Sequence, residues 1–184
     1  MKGIEFVCLG NNGRSPVAEI VAKKVVQKLG ANIPISSSGL GVDLFMKAGP
    51  KPNAIAALKS LGIEGESLYL TQKFIELESK FRNEALSKCG YSPLENHKPQ
   101  QTDPAKDVDL MLTMDVYLED SLGKMSPKAR VMSIGYYSFT EIPHIKLSDW
   151  LTTANAHVTY LRVLEEAMPK AIGMYLKEIT EAGL

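Results

Sequence analysis

The residues of this sequence best suited to chemistry lie together near its start, in Cys8-Leu9-Gly10-Asn11-Asn12-Gly13-Arg14-Ser15. A cysteine that ends a buried strand is, by itself, ordinary packing. An arginine six positions later, just where a helix opens, changes the reading. The backbone N–H groups of Leu9 to Ser15 can then converge on one point with a helix N-terminus behind them, which makes an anion cradle. Gly10 and Gly13 are expected to supply the positive φ angles of such a turn. Arg14 offers a planar fork matched to two phosphate oxygens. The same positive field favours a Cys8 thiolate as nucleophile, with Ser15 able to donate to it. The set suits phosphoryl transfer through a cysteinyl-phosphate without a metal or other cofactor. A nucleotide-binding loop of the Gly-x4-Gly-Lys-Ser/Thr kind is absent.

The elements that must position this loop follow from the surrounding pattern. Residues 3–8 read as a buried strand, and Pro16 suits the first turn of a helix that keeps Val17, Ile20, Val21, Val25 and Leu29 at helical spacing until Gly30. Residues 33–37 read as an edge strand because of Pro34. The Gly- and Pro-rich stretch 39–52 reads as a loop, and 53–61 as a helix stopped by Gly62. Strands are expected at 109–113 and 129–134, a short helix at 116–125, and a long helix at about 154–181 bent at Pro169. Alternating strands and helices argue for an α/β domain built on a parallel sheet. Residues 66–106 fit this alternation poorly. A helix is expected from Gln72 to about Ser87, followed by a long loop, and connections of that length are often lids or partner surfaces.

The chain has 184 residues, enough for one domain with a full core. Lys plus Arg (21) equals Asp plus Glu (21), which argues against a general binder of nucleic acid or anionic membrane. No apolar run approaches the ~18 residues of a membrane span, and the N-terminus does not read as a secretory leader. Two cysteines, Cys8 and Cys89, are too few for a disulfide framework or a cysteine zinc site. The three histidines share no ligand spacing, so no metal is expected. These points suggest a protein of the reducing cytoplasm; they leave its oligomeric state open.

Cys8-Leu9-Gly10-Asn11-Asn12-Gly13-Arg14-Ser15-Pro16, followed by Val17-Ala18-Glu19, resembles the signature of the low-molecular-weight protein tyrosine phosphatases, Cys-x-Gly-Asn-x-Cys-Arg-Ser-Pro and then Ala-Glu. Ser37-Ser38-Gly39 is similar to the family's Ser-Ala-Gly, and the likeness continues through 54–63 and 109–115. It covers residues 1–63 and, less tightly, 107–180. The resemblance implies a four-stranded parallel sheet in the order 2-1-3-4 with helices on both faces, in one domain carrying an atypical segment at about 66–106. It implies hydrolysis of a phosphorylated protein or a small phosphomonoester, without metal. Cys8 would be the nucleophile, Arg14 the phosphate clamp, and Asn11, Ser15 and Ser37 the braces of the loop.

The family places an Asp-Pro-aromatic acid before its last helix. Counting back from 164–167, Asp149 takes that place, with Trp150 where proline is usual; His144 in Ile142-Pro143-His144 competes for the role. Asn12 stands where tyrosine phosphatases have Ile and arginine phosphatases Thr, so one wall of the substrate slot is expected to be polar. On that reading Asn12→Ile should improve aryl phosphate binding several-fold. Phe45, Met46, Trp150 and Leu151 are candidates for the other walls. Gly13 replaces the second loop cysteine, and Cys89 lies in the extra segment. Two other functions stay open: arsenate reductase-like thiol chemistry using Cys89, and a catalytically weakened phosphate-binding regulator.

Overall fold

The computed structural model describes residues 2–125, 127–143 and 145–181, so His144 lies outside the described residues. The first strand, β1 (Ile4–Cys8), is buried along its whole length, as central strands of parallel sheets are. It is followed by α1 (Arg14–Lys28) and β2 (Ile35–Gly39), then by α2 (Val42–Ala48), α3 (Pro52–Ser60) and α4 (Ser67–Lys88). The remainder is β3 (Leu110–Thr113), α5 (Val116–Gly123), β4 (Arg130–Ser133), α6 (Ile134–Ser138), α7 (Leu147–Thr152) and α8 (Ala154–Glu181). All pairings are parallel and the strand order is β2-β1-β3-β4.

Alternation along β1 divides the core. Ile4, Phe6 and Cys8 pack with Val17 and Val21 of α1 and with Leu164, Met168 and Ile172 of α8. Val7 packs on the opposite face with Met111 and Leu122. Glu5, also buried, is matched by Lys106 Nζ at 3.0 Å. Cys8 therefore ends the strand from which the chain winds toward β2 on one side and β3 on the other, the position at which open α/β sheets bind ligands.

Three short helices were not expected. α2 lies inside the 39–52 stretch, and α6 and α7 follow β4 and precede α8. At five to seven residues they are too short for an apolar period to show. α4 begins at Ser67 rather than Gln72, because Leu70 and Thr71 are buried while Leu68 and Tyr69 stay exposed and blur the pattern. Pro169 lies inside α8, which runs as one helix.

Candidate active site

The loop from Cys8 to Arg14 wraps around the cysteine sulfur. Cys8 Sγ accepts hydrogen bonds from the Asn11 amide at 3.1 Å and from Ser15 Oγ at 3.0 Å. Asn11, fully buried, donates through Nδ2 to Ser15 Oγ and Ser37 Oγ, both at 3.1 Å, and Ser37 in turn donates to Glu19 Oε2. Asn11, Ser15 and Ser37 are thus joined in one hydrogen-bonded set around the sulfur. The glycines play different parts from those expected. The residue with a left-handed backbone is Asn11, at φ +47°, whereas Gly13 sits at φ −103°. Asparagine tolerates that region better than other non-glycine residues because its short polar side chain can bond locally. Gly39 is required by proximity: a Cβ there would lie 2.6 Å from the Asn11 amide nitrogen. The end of β2 thus lies directly against the loop.

Arg14 opens α1 and pairs with Asp115 at 3.0 Å. Asp115 also caps α5, accepting from the Leu118 amide. Burial tends to depress the Arg14 guanidinium, but Cys8, Tyr160 and Asp115 outweigh it and raise its pKa. Tyr160 of α8 is buried beside these groups, and that burial keeps its hydroxyl protonated well above the usual range.

The atypical segment supplies the other half of the loop's surroundings. α4 packs against α7 and α8 and lays one face on Asn12. Asn12 Nδ2 donates to Glu78 Oε2 at 2.9 Å and to the Ile75 carbonyl at 3.3 Å, while Ser79 Oγ donates to Asn12 Oδ1 at 3.0 Å. Asn12 is only 4% exposed, so its side chain is gripped by a helix and does not face an open slot. Arg82, 1% exposed, donates from Nη1 to the Asn12 carbonyl. Burial pulls its guanidinium down to about 10, with Glu78 opposing the shift. Glu78 itself is raised above the ordinary carboxylate range by burial, against the pull of Asn12, Arg14 and Arg82. The chain after α4 returns to the same place. His97 Nε2 is 2.6 Å from the Asn11 carbonyl, the Gln100 amide donates to Asn11 Oδ1 at 2.8 Å, and Gln101 forms a bridge to Gly39. Burial lowers the His97 pKa; because a carbonyl oxygen only accepts, Nε2–H is the donor in this bond.

The remaining candidates lie on α2, on α7 and at the end of α4. Asp149 is exposed in the first turn of α7. Trp150 is buried edge-on against His157 and Tyr160, and Leu151 packs with α3 and α4, so both belong to the core. Phe45 of α2 packs on Phe74 of α4, while Met46 is 51% exposed. Cys89, half-buried, ends α4 as a free thiol. Sequence reasoning missed Asp115, Glu78, Arg82, His97 and Tyr160. Only Asp115 carried a local signal, as an N-cap immediately after a strand.

Residues 3–81 match the family described as low molecular weight phosphotyrosine protein phosphatase. The protein-arginine-phosphatase of Bacillus subtilis (strain 168) is 36% identical over 75 residues, which is 40% of this chain and 49% of that protein. The low molecular weight phosphotyrosine protein phosphatase of Sus scrofa is 42% identical over 64 residues, 34% of this chain and 40% of that protein. The chain therefore spans about half or less of the length of the curated relatives it matches. The crystal structure of a low molecular weight protein tyrosine phosphatase from T. tengcongensis superposes with a TM-score of 0.65 at 19% identity, covering 94% of this chain and 99% of that one. Residues 3–81 therefore carry a sequence likeness to the low molecular weight phosphotyrosine protein phosphatases, and the chain shares the fold of one of their solved structures over nearly its whole length.

Proposed function

We propose that the protein hydrolyses phosphomonoesters of phosphorylated proteins or small molecules through a cysteinyl-phosphate. The observation that carries this is the Cys8 sulfur, which accepts from Asn11 N–H and Ser15 Oγ inside a loop that closes on Arg14. Phosphate binds against the amides of Leu9 to Ser15, and Arg14 turns from Asp115 to hold its equatorial oxygens. Cys8 attacks in line: the S–P bond forms, the ester P–O bond breaks, and Asp149 gives its proton to the leaving oxygen. Water then attacks phosphorus and Asp149 takes its proton. The S–P bond breaks, inorganic phosphate leaves, and Ser15 donates to the returning thiolate. Two free thiols suit a reducing compartment such as the cytoplasm. Among the described residues, no helix is long and apolar enough to cross a membrane.

The test is turnover of an aryl phosphate and of phosphotyrosine and phosphoarginine peptides, with Cys8→Ser as control. Cys8→Ser should abolish hydrolysis and still bind inorganic phosphate, because serine keeps the loop's shape without offering a thiolate. Hydrolysis by Cys8→Ser at the wild-type rate refutes the mechanism.

A further inference from the structure

The mechanism above uses Cys8, Arg14, Ser15 and the loop amides, and leaves a fully buried arginine on α4 without a part. Every donor of Arg82 that faces an acceptor is directed. Nη1 donates to the Asn12 carbonyl and, at 3.3 Å, to Asn12 Oδ1. Nη2 donates to the Leu94 carbonyl at 2.9 Å, and Nε to Asn83 Oδ1 at 3.1 Å. Asn83 is itself fixed, since its Oδ1 also accepts from the Leu94 amide at 3.0 Å. The guanidinium is thus held through Nε, Nη1 and Nη2, and Nη1 faces the phosphate loop.

That contact decides where an amide points. All peptide bonds described are trans, and in a trans peptide the C=O of one residue and the N–H of the next point in opposite directions. Holding the Asn12 carbonyl toward α4 turns the Gly13 N–H away from α4. His97 does the same one peptide earlier: its bond to the Asn11 carbonyl turns away the Asn12 N–H. Among the described residues neither of these two amides meets an acceptor, whereas the preceding one, Asn11 N–H, reaches Cys8 Sγ. Two successive loop carbonyls are therefore held from outside by the atypical segment, and their amides are left free for an anion.

We infer that Arg82 is a positioning residue of the phosphate site, which aims the Gly13 amide at the transferring phosphoryl group by fixing the Asn12 carbonyl. The inference rests on the proposed phosphate chemistry of the loop. It gives residues 66–106 a task in that chemistry: α4 completes a cradle that residues 8–15 do not hold in shape alone.

The test uses the full chain carrying Cys8→Ser, titrated with inorganic phosphate and followed by the amide resonances of Asn12 and Gly13. Both should shift on binding. Adding Arg82→Met, which fills similar space without a donor, should remove the Gly13 response, leave that of Asn12, and weaken phosphate binding about tenfold. In the Cys8 protein, Arg82→Met should lower kcat by about 10²–10³ with a much smaller change in KM, the range for one misdirected oxyanion donor. Arg82→Lys should recover part of the loss. Asn83→Ala, which frees Arg82 without removing it, gives a milder fall in kcat and decides the matter if Arg82→Met does not fold. Wild-type kcat and an intact Gly13 response in the folded variants overturn the inference. Absence of any phosphate response in Cys8→Ser, together with no Cys8-dependent turnover, overturns the proposed function instead.

Discussion

Replacing Asn12 with isoleucine is the most informative single change, because the sequence and the structure give it opposite outcomes. If position 12 lined an open slot, Ile would add roughly 50 Å² of apolar contact to a substrate ring, on the order of 1 kcal/mol. The structure instead places the Asn12 amide under α4, where Glu78, Ser79, Arg82 and the Ile75 carbonyl all use it. Ile offers none of these bonds. A buried polar group left without its partner costs about 1–3 kcal/mol, and both the Ser79 hydroxyl and the Glu78 carboxylate lose one. Glu78 and Ser79 are only half-buried, so water recovers part of this and a net loss of about 2–3 kcal/mol is expected. For a chain of this length each kcal/mol moves the melting temperature by about 2–4 °C, so Asn12→Ile should melt roughly 4–12 °C lower. The assay is a thermal melt of both proteins, alongside aryl phosphate kinetics. An unchanged melting temperature with a several-fold lower KM would refute the grip of α4 on the loop.

Asp149→Asn should lower hydrolysis of phosphotyrosine by about 10²–10⁴, the range for one general acid, and much less for a substrate with a good leaving group. If Glu78→Gln shows that leaving-group pattern and Asp149→Asn does not, the acid sits on α4. Gly13→Ala places a Cβ 2.4 Å from Glu78 Oε1 and should destabilise by about 1–3 kcal/mol. Glu78→Ala in the same chain should relieve most of that loss; additive melting shifts in a double-mutant cycle would contradict the contact. Glu78 is harder to ionise in the folded protein than in the unfolded chain. Wild type should therefore lose stability relative to Glu78→Gln as pH rises through the ordinary carboxylate range, with the loss complete above the raised value. Melting curves from acid to neutral pH that run parallel would contradict this.

The loop that follows β1 was legible because all its information is local: a strand, a turn and a helix start within the stretch from Cys8 to Pro16. The sheet order came only through the resemblance to a family that this block carries together with Asp109 to Asp115. Asn11 and Ser37, 26 residues apart, could be joined only through the resemblance to a family. The far side of the loop was not legible. Arg82 and Glu78 sit among Glu76, Lys80 and Glu84 on a helix whose charges read as a solvated face, and nothing in that pattern marks two of them as turned inward. His97 lies in a polar stretch without periodicity, 86 residues from the carbonyl it meets. Asn12 was misplaced for the same reason. Its type announced a polar surrounding, but whether that meant substrate or protein depended on a helix more than 60 residues away.

The bonds by which α4 and the chain after it hold Asn11 and Asn12 span 63 to 89 residues of chain, which ties the site to the order of folding. Closing so long a loop is entropically costly, so residues 8–15 are expected to reach their final shape only after α4 has docked and the chain beyond it has returned to Gly39. An anion that binds the finished loop then stabilises α4 and residues 89–102 as well, by about 2.7 kcal/mol at a concentration a hundred times its Kd. Phosphate should accordingly shield this segment from proteolysis, although none of its side chains is placed among the groups that touch the anion.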